Sequence, residues 1–520
     1  MSSQIDTFWL FAFATKFENL TLTNIISTII VLAVTWLAMS LFYWAHPGGP
    51  AWGKYSWPRV LHGVRRTIPG PRGWPIIGSM SLKIGLAHHK IAKMARHCGA
   101  MRLMAFSLGE TRMIVTCNPD VAKEILNSPV FVDRPDQESA YGLMFNRAIG
   151  FAPYGFYWRT LRRIASTHLF SSKQIKSYET QRSDIVNEMV QKIKGENGPF
   201  WAREVLKWAS LKNMMGSVFG GGYSEELKEM VDEGYDLLGV LNWGDHLPWL
   251  TGFDFQKIRF RCSSLVPKVN RFVGGIIEQH RSSPSQVNHD FVDVLLTLQD
   301  QDKLSDSDMI AVLWEMIFRG TDSMAVLMEW ILARLVLHPD IQSKVHAELD
   351  NVVGRSRAVR ESDLSSLVYL TAVIKEVLRL HPPGPLLAWS RLSIEDTTVD
   401  GYHVPAGTTA AVNIWAIARD PKVWSSPLEF NPNRFLYTDS ESEFSIFGSD
   451  LRLAPFGSGK RSCPGKKLGL TAVSFWVASL LHEFEWVTSP DAEVDMSEVL
   501  KLSCEMAQPL TVQARPRLVI

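Results

Sequence analysis

Hydrophobic and polar positions divide this 520-residue chain into regimes of different period. The first is an apolar run without a period. No charged residue lies between Glu18 and His46, and IISTIIVLAVTWLAMSLFYWA, residues 25–45, is almost wholly apolar. About 20 such residues cross a bilayer as a helix. The run ends in FYWAH, aromatics suited to an interface, whereas a cleaved signal would be shorter and end in small residues. Few basic residues precede it, while Lys54, Arg59, Arg65, Arg66 and Arg72 follow. The positive-inside rule then puts the body of the protein in the cytosol. Residues 1–46 are thus predicted as an N-terminal anchor with its span at about 25–45.

Residues 47–78 are rich in Gly, Pro and Trp and close with IPGPRGWPIIG. Proline fixes φ and blocks helix, so this piece is predicted as a stiff, extended stalk between membrane and body. Residues 79–520 form one large body. RLMAFSLGETRMIVT (102–116) has two apolar runs about a Gly-containing turn and predicts a hairpin. From about 119 to 385 a helical period dominates, most clearly in DIVNEMVQKIKG and DMIAVLWEMIFRGTDSMAVLMEWILARLVL. Strand-like pieces return at 397–417, and GKKLGLTAVSFWVASLLHEF predicts a last long helix. The chain has no internal repeat. The fold class is mainly α with small β sheets, preceded by one transmembrane helix.

Composition narrows the chemistry. With 46% hydrophobic and 21% charged residues the chain is globular, and a net charge of +1 gives no field for nucleic acid. The five cysteines (98, 117, 262, 463 and 504) are odd in number and form no CxxC pair. A reducing compartment is the simpler reading, and no zinc signature is present. No G-x-S-x-G elbow or GK[ST] loop supports a hydrolase or a nucleotide-binding protein.

One cysteine stands apart. In PFGSGKRSCPG (455–465), Cys463 lies among glycines, between Lys460 and Arg461 before it and Lys466 and Lys467 after it. Pro464 and Gly465 fall at the start of the last helix, whose free N–H groups favour an anion. A cysteine beside a helix start is usually structural. Here the pattern F-x-x-G-x-R-x-C-x-G, filled by Phe456, Gly459, Arg461, Cys463 and Gly465, is far more specific. It resembles the haem-binding signature of the cytochrome P-450 superfamily, in which the cysteine thiolate is the axial ligand of haem iron. The resemblance implies a P-450 fold and haem b (iron protoporphyrin IX), with Gly457 and Gly459 clearing space for the flat cofactor.

Further positions carry the same resemblance. Glu376 and Arg379 in KEVLRLHPP, with Arg434 in NPNRF, match the family's E-x-x-R triad, a structural brace for the cysteine loop. Trp158 and Arg162 in YGFYWRTLRR resemble the W-x-x-x-R helix that grips a haem propionate, and Arg391 falls where the family often places another propionate-binding cation. FRGTDS (318–323) resembles the oxygen-activation segment [A/G]-G-x-D-T. It implies that Gly320 lets the helix pass over the cofactor and that Asp322 and Ser323 relay protons to the oxygen being activated. Serine replaces the usual threonine, and Arg319 the usual small residue. A serine in mid-helix also bonds back to the carbonyl four residues earlier. Arg319 has two readings: an ion pair with Glu315 one turn earlier, or an anchor for an anionic substrate group.

Across roughly 69–515 the likeness is continuous, and GFYWRTLRRIASTHLF, NWGDHLPWL and FRGTD resemble the plant family numbered 78, subfamily A. That likeness implies a single-pass monooxygenase of the endoplasmic reticulum membrane with a cytosolic catalytic domain. Its partners would be NADPH–cytochrome P-450 reductase, membrane lipid, O2 and a lipophilic, fatty-acid-like substrate, with a role in organ growth. Two readings stand beside it. A haem-thiolate isomerase or dehydratase acting on hydroperoxides usually disturbs the acid–alcohol pair, which is intact here. A non-enzymatic membrane haem binder would need no such pair.

Overall fold

The computed structural model describes residues 22–45 and 67–517, apart from 197, 222–223, 283–289, 388, 437–443 and 490–491. The apolar run forms a helix, Leu22–Ala45, with its central side chains exposed along Asn24–Leu41. By length and composition it can cross a membrane. Most of the stalk, 47–66, lies outside the described residues. Its last part does not run free. Ala105 N–H donates to Pro69 O, and Gly78 bridges Leu108, so 67–78 lies along the first strand of the body. Gly70 permits this, since a Cβ there would lie 1.8 Å from Ala105 O.

Helices dominate the body, and the longest, Asp306–Leu337, runs through its centre. Ser305 caps it by accepting from Asp308 N–H, and Asp306 and Asp308 in its first turn complement the dipole. It is apolar on nearly every face because it is buried on nearly every face. Trp314 and Trp330 on it, with Trp476 and Trp486, are among the largest fully buried side chains. Among the helices packed against it are Ala202–Phe219, Glu225–Gly239 and Lys466–Glu483.

The sheets are small. The hairpin forms at Met104–Leu108 and Thr111–Thr116, in register from Met104 opposite Val115 to Leu108 opposite Thr111. Gly109 (φ +50°) makes the turn. Thr409–Val412 adds in parallel to the second strand, and Arg391–Leu392 closes this four-stranded sheet. A hairpin of Glu498–Leu500 and Cys504–Met506 brings Ser503, at its turn, to the long helix. Phe200–Trp201, Thr511–Pro516 and Phe484–Thr488 make a third sheet, and Thr397–Val399 with Tyr402–Val404 a fourth. The strand-like pieces of 397–417 hold Thr397–Val399, Tyr402–Val404 and Thr409–Val412, whereas local sequence could not place Arg391–Leu392 or Phe200–Trp201, whose partners lie farther along the chain.

Candidate active site around Cys463

The cysteine loop is built by backbone constraints. Phe456 O accepts from Cys463 N–H at 2.9 Å, closing the loop on itself. Gly457 and Gly459 have φ of +66° and +70°, where a side chain is strained. A Cβ on Gly459 would also lie 2.1 Å from Leu126 O. Gly459 therefore serves loop conformation and close backbone contact. Gly465 N-caps the following helix, Lys466–Glu483, and packs against the Phe170 ring.

Glu376 and Arg379 form a fully buried two-pronged pair at 2.7 and 2.8 Å. Arg379 also donates to Ala418 O, Pro427 O and Glu429 O, while Arg434 Nε donates to Glu376 Oε1 at 3.1 Å. Asn431 N–H adds a further bond to the same oxygen. The three residues fix one helix to the loop around 425–434 through charge-assisted bonds that leave neither buried charge alone.

Cations gather around Cys463. Arg162 donates to Ser462 O at 2.7 Å and Arg391 to Ser458 O at 3.2 Å, one on each flank of the loop. Arg461 stacks 4.4 Å over the Trp158 ring, and its three nitrogens donate to Val132 O, Ile149 O and Ala152 O. Trp158 Nε1 donates to Ile149 O at 2.9 Å. Trp158 and Arg461 thus share one carbonyl partner, Ile149 O, and hold the wall of the site. Arg134 joins them, donating to Gly150 O, Trp389 O and Ser390 O. Its signal in the sequence was the short FVDRP segment, unremarkable without its neighbours.

These charges are poorly balanced. Burial first, then Arg461 and Arg162, pushes Arg391 down to about 9. Burial and neighbouring arginines likewise hold Arg134 well below its ordinary value. The acids at hand are Asp133, 3.5 Å from Arg461, and Glu315. Such a buried excess of positive charge calls for an anionic ligand. The thiol completes the donor set. Burial raises the Cys463 pKa, while Arg319, Gly465 N–H, Arg162 and Lys466 oppose that rise. Cys504 is different. Its thiol lies 3.4 Å from Glu498 Oε2, and burial together with that carboxylate drives its pKa upward. Burial also raises Cys117 and Cys262, to about 12 and about 11. A soft donor beside an anion-seeking ring of arginines suits a metal macrocycle carrying carboxylates.

The long helix contributes the other wall, packing against the cysteine helix where Met324 meets Gly469. Ser323 is exposed, and Thr321 Oγ1, not Ser323, bonds back into the helix, to Ile317 O at 2.8 Å. Asp322 is buried, 3.6 Å from Lys207 Nζ and hydrogen-bonded to Ser503. Burial raises its pKa, and Lys207 and Ser503 moderate the rise. Sequence reasoning missed Lys207, which lies on another helix and carries no motif. Gly320 meets a neighbouring helix. A Cβ there would lie 2.5 Å from Met214 Sδ and Cε, so this glycine admits the neighbouring helix Ala202–Phe219.

Arg319 Nη1 reaches Glu315 Oε1 at 3.4 Å, and Gly150 N–H donates to that same oxygen at 2.7 Å. Glu315 Oε2 is buried with no hydrogen-bond partner among the described residues. The guanidinium lies 5.4 Å over the Trp389 ring and keeps one third of its side chain exposed.

The family model for cytochrome P450 matches residues 68–511. The chain belongs to the cytochrome P450 family. It is 65% identical to "Cytochrome P450 78A9" of Arabidopsis thaliana, over 99% of both chains. It is 63% identical to "Cytochrome P450 78A3" of Glycine max, over 99% of this chain and all of that one. "Flavonoid 3'-monooxygenase CYP75B3" of Oryza sativa subsp. japonica is more distant, 36% identical over 87% of this chain and 92% of its own. This P450 thus sits within the plant 78A group of a family of haem-thiolate monooxygenases.

Proposed function

We propose that this P450 hydroxylates a lipophilic, fatty-acid-like molecule at a haem held by Cys463, using O2 and electrons passed from NADPH by the reductase. The carrying observation is the buried excess of arginine charge around a loop-held thiol. Bound there, the haem supplies the iron at which dioxygen is reduced and an oxygen atom is transferred. The residues around it hold and orient. Cys463 would hold that haem as its anionic thiolate ligand, since a coordinated metal inverts the effect of burial. Arg162 and Arg391 would hold the carboxylates of the macrocycle, while Trp158, Phe456, Arg461, Gly459 and Gly465 would shape its seat. Asp322 carries a proton inward from the Lys207 side, with its raised pKa keeping it a usable acid, and Ser323 passes it on across the site. Arg319 lies beside this relay as the anchor for an anionic end of the substrate.

Placement at the endoplasmic reticulum membrane rests on the apolar helix and on one exposed face. Trp243, Trp249, Phe253, Phe255 and Phe260 are all about half exposed or more, as is Trp74. The two segments meet at the hairpin turn, where Gly109 N–H donates to Ile77 O and Glu110 N–H to His246 O. Exposed aromatics in such number suit a bilayer surface. Reductase docking falls to the face of Lys460, Lys466 and Lys467; Lys460 and Lys467 are exposed, and Lys460 donates to Tyr154 Oη as Lys466 does to Phe447 O. A role in organ growth rests on the family likeness alone.

The deciding experiment compares Cys463→Ser with Cys504→Ser. A neutral hydroxyl cannot replace thiolate sulfur, so Cys463→Ser should lose the thiolate-type Soret band of the reduced carbon-monoxide complex. Cys504→Ser should keep it. The opposite pattern would overturn the assignment.

A further inference from the structure

Tyr235 reaches out of its own helix, Glu225–Gly239, into the turn that carries Asp322. Its hydroxyl donates to Phe318 O and accepts from Asp322 N–H, the latter at 3.1 Å. In an α-helix those two groups are each other's i and i+4 partners. A hydroxyl has one proton to give and lone pairs to accept with, so a single phenol serves both ends of one turn. The placement is built, not incidental. The Tyr235 ring stacks on Phe318 at 4.3 Å and 28°. Gly234 permits the approach, since a Cβ there would lie 2.8 Å from the Phe318 ring. Burial raises the phenol's pKa well above its ordinary value, which keeps it a neutral donor.

We propose that Tyr235 is a positioning residue for oxygen activation: its hydroxyl holds the 318–322 turn, and with it the direction of Asp322 and Ser323. Side chains inserted beside the i to i+4 ladder loosen or bend a helix locally. This turn carries two such hydroxyls, from Thr321 within the helix and from Tyr235 outside it. Gly320 in the same turn has no side chain to stiffen it. The turn that must aim the acid therefore takes its shape from a neighbouring helix. Asp322 is held at two points, its N–H by Tyr235 and its carboxylate by Lys207 and Ser503. The functional half of this inference rests on the monooxygenase reading above, whereas the structural half does not.

The test uses the full-length ferric holoenzyme, wild type beside Tyr235→Phe and Tyr235→Leu. Hydrogen exchange of the 318–324 amides is read first. Loss of the hydroxyl alone should speed it about fivefold, the effect of one net hydrogen bond. Coupling is read second, as peroxide released per NADPH consumed with reductase and dodecanoic acid as the probe. Peroxide should at least double in Tyr235→Phe while the thiolate-type spectrum and the dodecanoate spin shift are kept. Unchanged exchange overturns the brace. Faster exchange with unchanged coupling overturns the role in oxygen activation. If wild type itself consumes no NADPH, the monooxygenase reading fails, and the exchange result still decides the brace. Should Tyr235→Phe not fold, wild-type exchange decides: Asp322 N–H must be slower than Gly320 and Ser323 N–H, and equal rates overturn the proposal.

Discussion

Arg319 is the residue at which the structural pair and the proposed substrate anchor can be told apart. Its pair with Glu315 is long, and Gly150 N–H holds the better share of that carboxylate. The guanidinium keeps free edges and a third of its side chain exposed, which a purely structural arginine does not need. Lysine at 319 keeps the charge but loses the fork. Arg319→Lys should therefore weaken spin-shift binding of long-chain carboxylates and leave their methyl esters unaffected. Equal loss for acids and esters would remove the anchor. The pair itself makes a separate claim. Arg319→Met strands a buried carboxyl and should cost about 1–3 kcal/mol, and Glu315→Leu added to it should recover much of that. Chemical denaturation of the two variants measures both quantities.

At the scale of elements, two histidines tie helices and loops to pH. His346, on the helix Pro339–Val352, and His246, beside the hairpin turn, are both held down to about 4 from 6.5, chiefly by burial. His246 Nδ1 meets Thr111 Oγ1 at 2.9 Å, whereas His346 Nε2 is buried with no hydrogen-bond partner among the described residues. Both are neutral in the fold, so the unfolded chain binds more protons below its own pKa. Their contribution to stability is full above about 6.5 and is lost as pH falls toward 4. Urea midpoints should drop between pH 7.5 and pH 5, and His246→Gln with His346→Gln should flatten the fall. An undiminished slope in the double variant would assign the acid sensitivity elsewhere. The hairpin at 104–116 and the long helix are legible locally, because period, turn and cap lie within one stretch of chain. Strand Arg391–Leu392 is not, since its ladder is with Thr409–Ala410.

For the whole molecule, the apolar helix and the aromatic face make one prediction. In full-length protein reconstituted in nanodiscs, amides of 243–260 should exchange more slowly than in detergent solution, and Phe255→Asp with Phe260→Asp should abolish that protection. Protection unchanged by the aspartates would mean that this face does not meet lipid.

By itself the sequence determined what local chemistry can encode. The apolar run has a length, the cysteine loop a residue pattern, and the long helix a period. Gly459 of the cysteine loop and Gly320 of the long helix were legible as positions, but their neighbours were not: Gly459 meets Leu126 O and Gly320 meets Met214, both far away in the chain. Only the tertiary structure decided which groups share a charge environment. Arg134, Arg162, Arg391 and Arg461 come from four separate segments, and their mutual repulsion exists only once burial has removed the water between them. The same holds for Asp322. Its sequence neighbours are Thr321 and Ser323, but burial, Lys207 and Ser503 set its protonation and Tyr235 holds its backbone N–H, because a proton responds to distance through space and not along the chain.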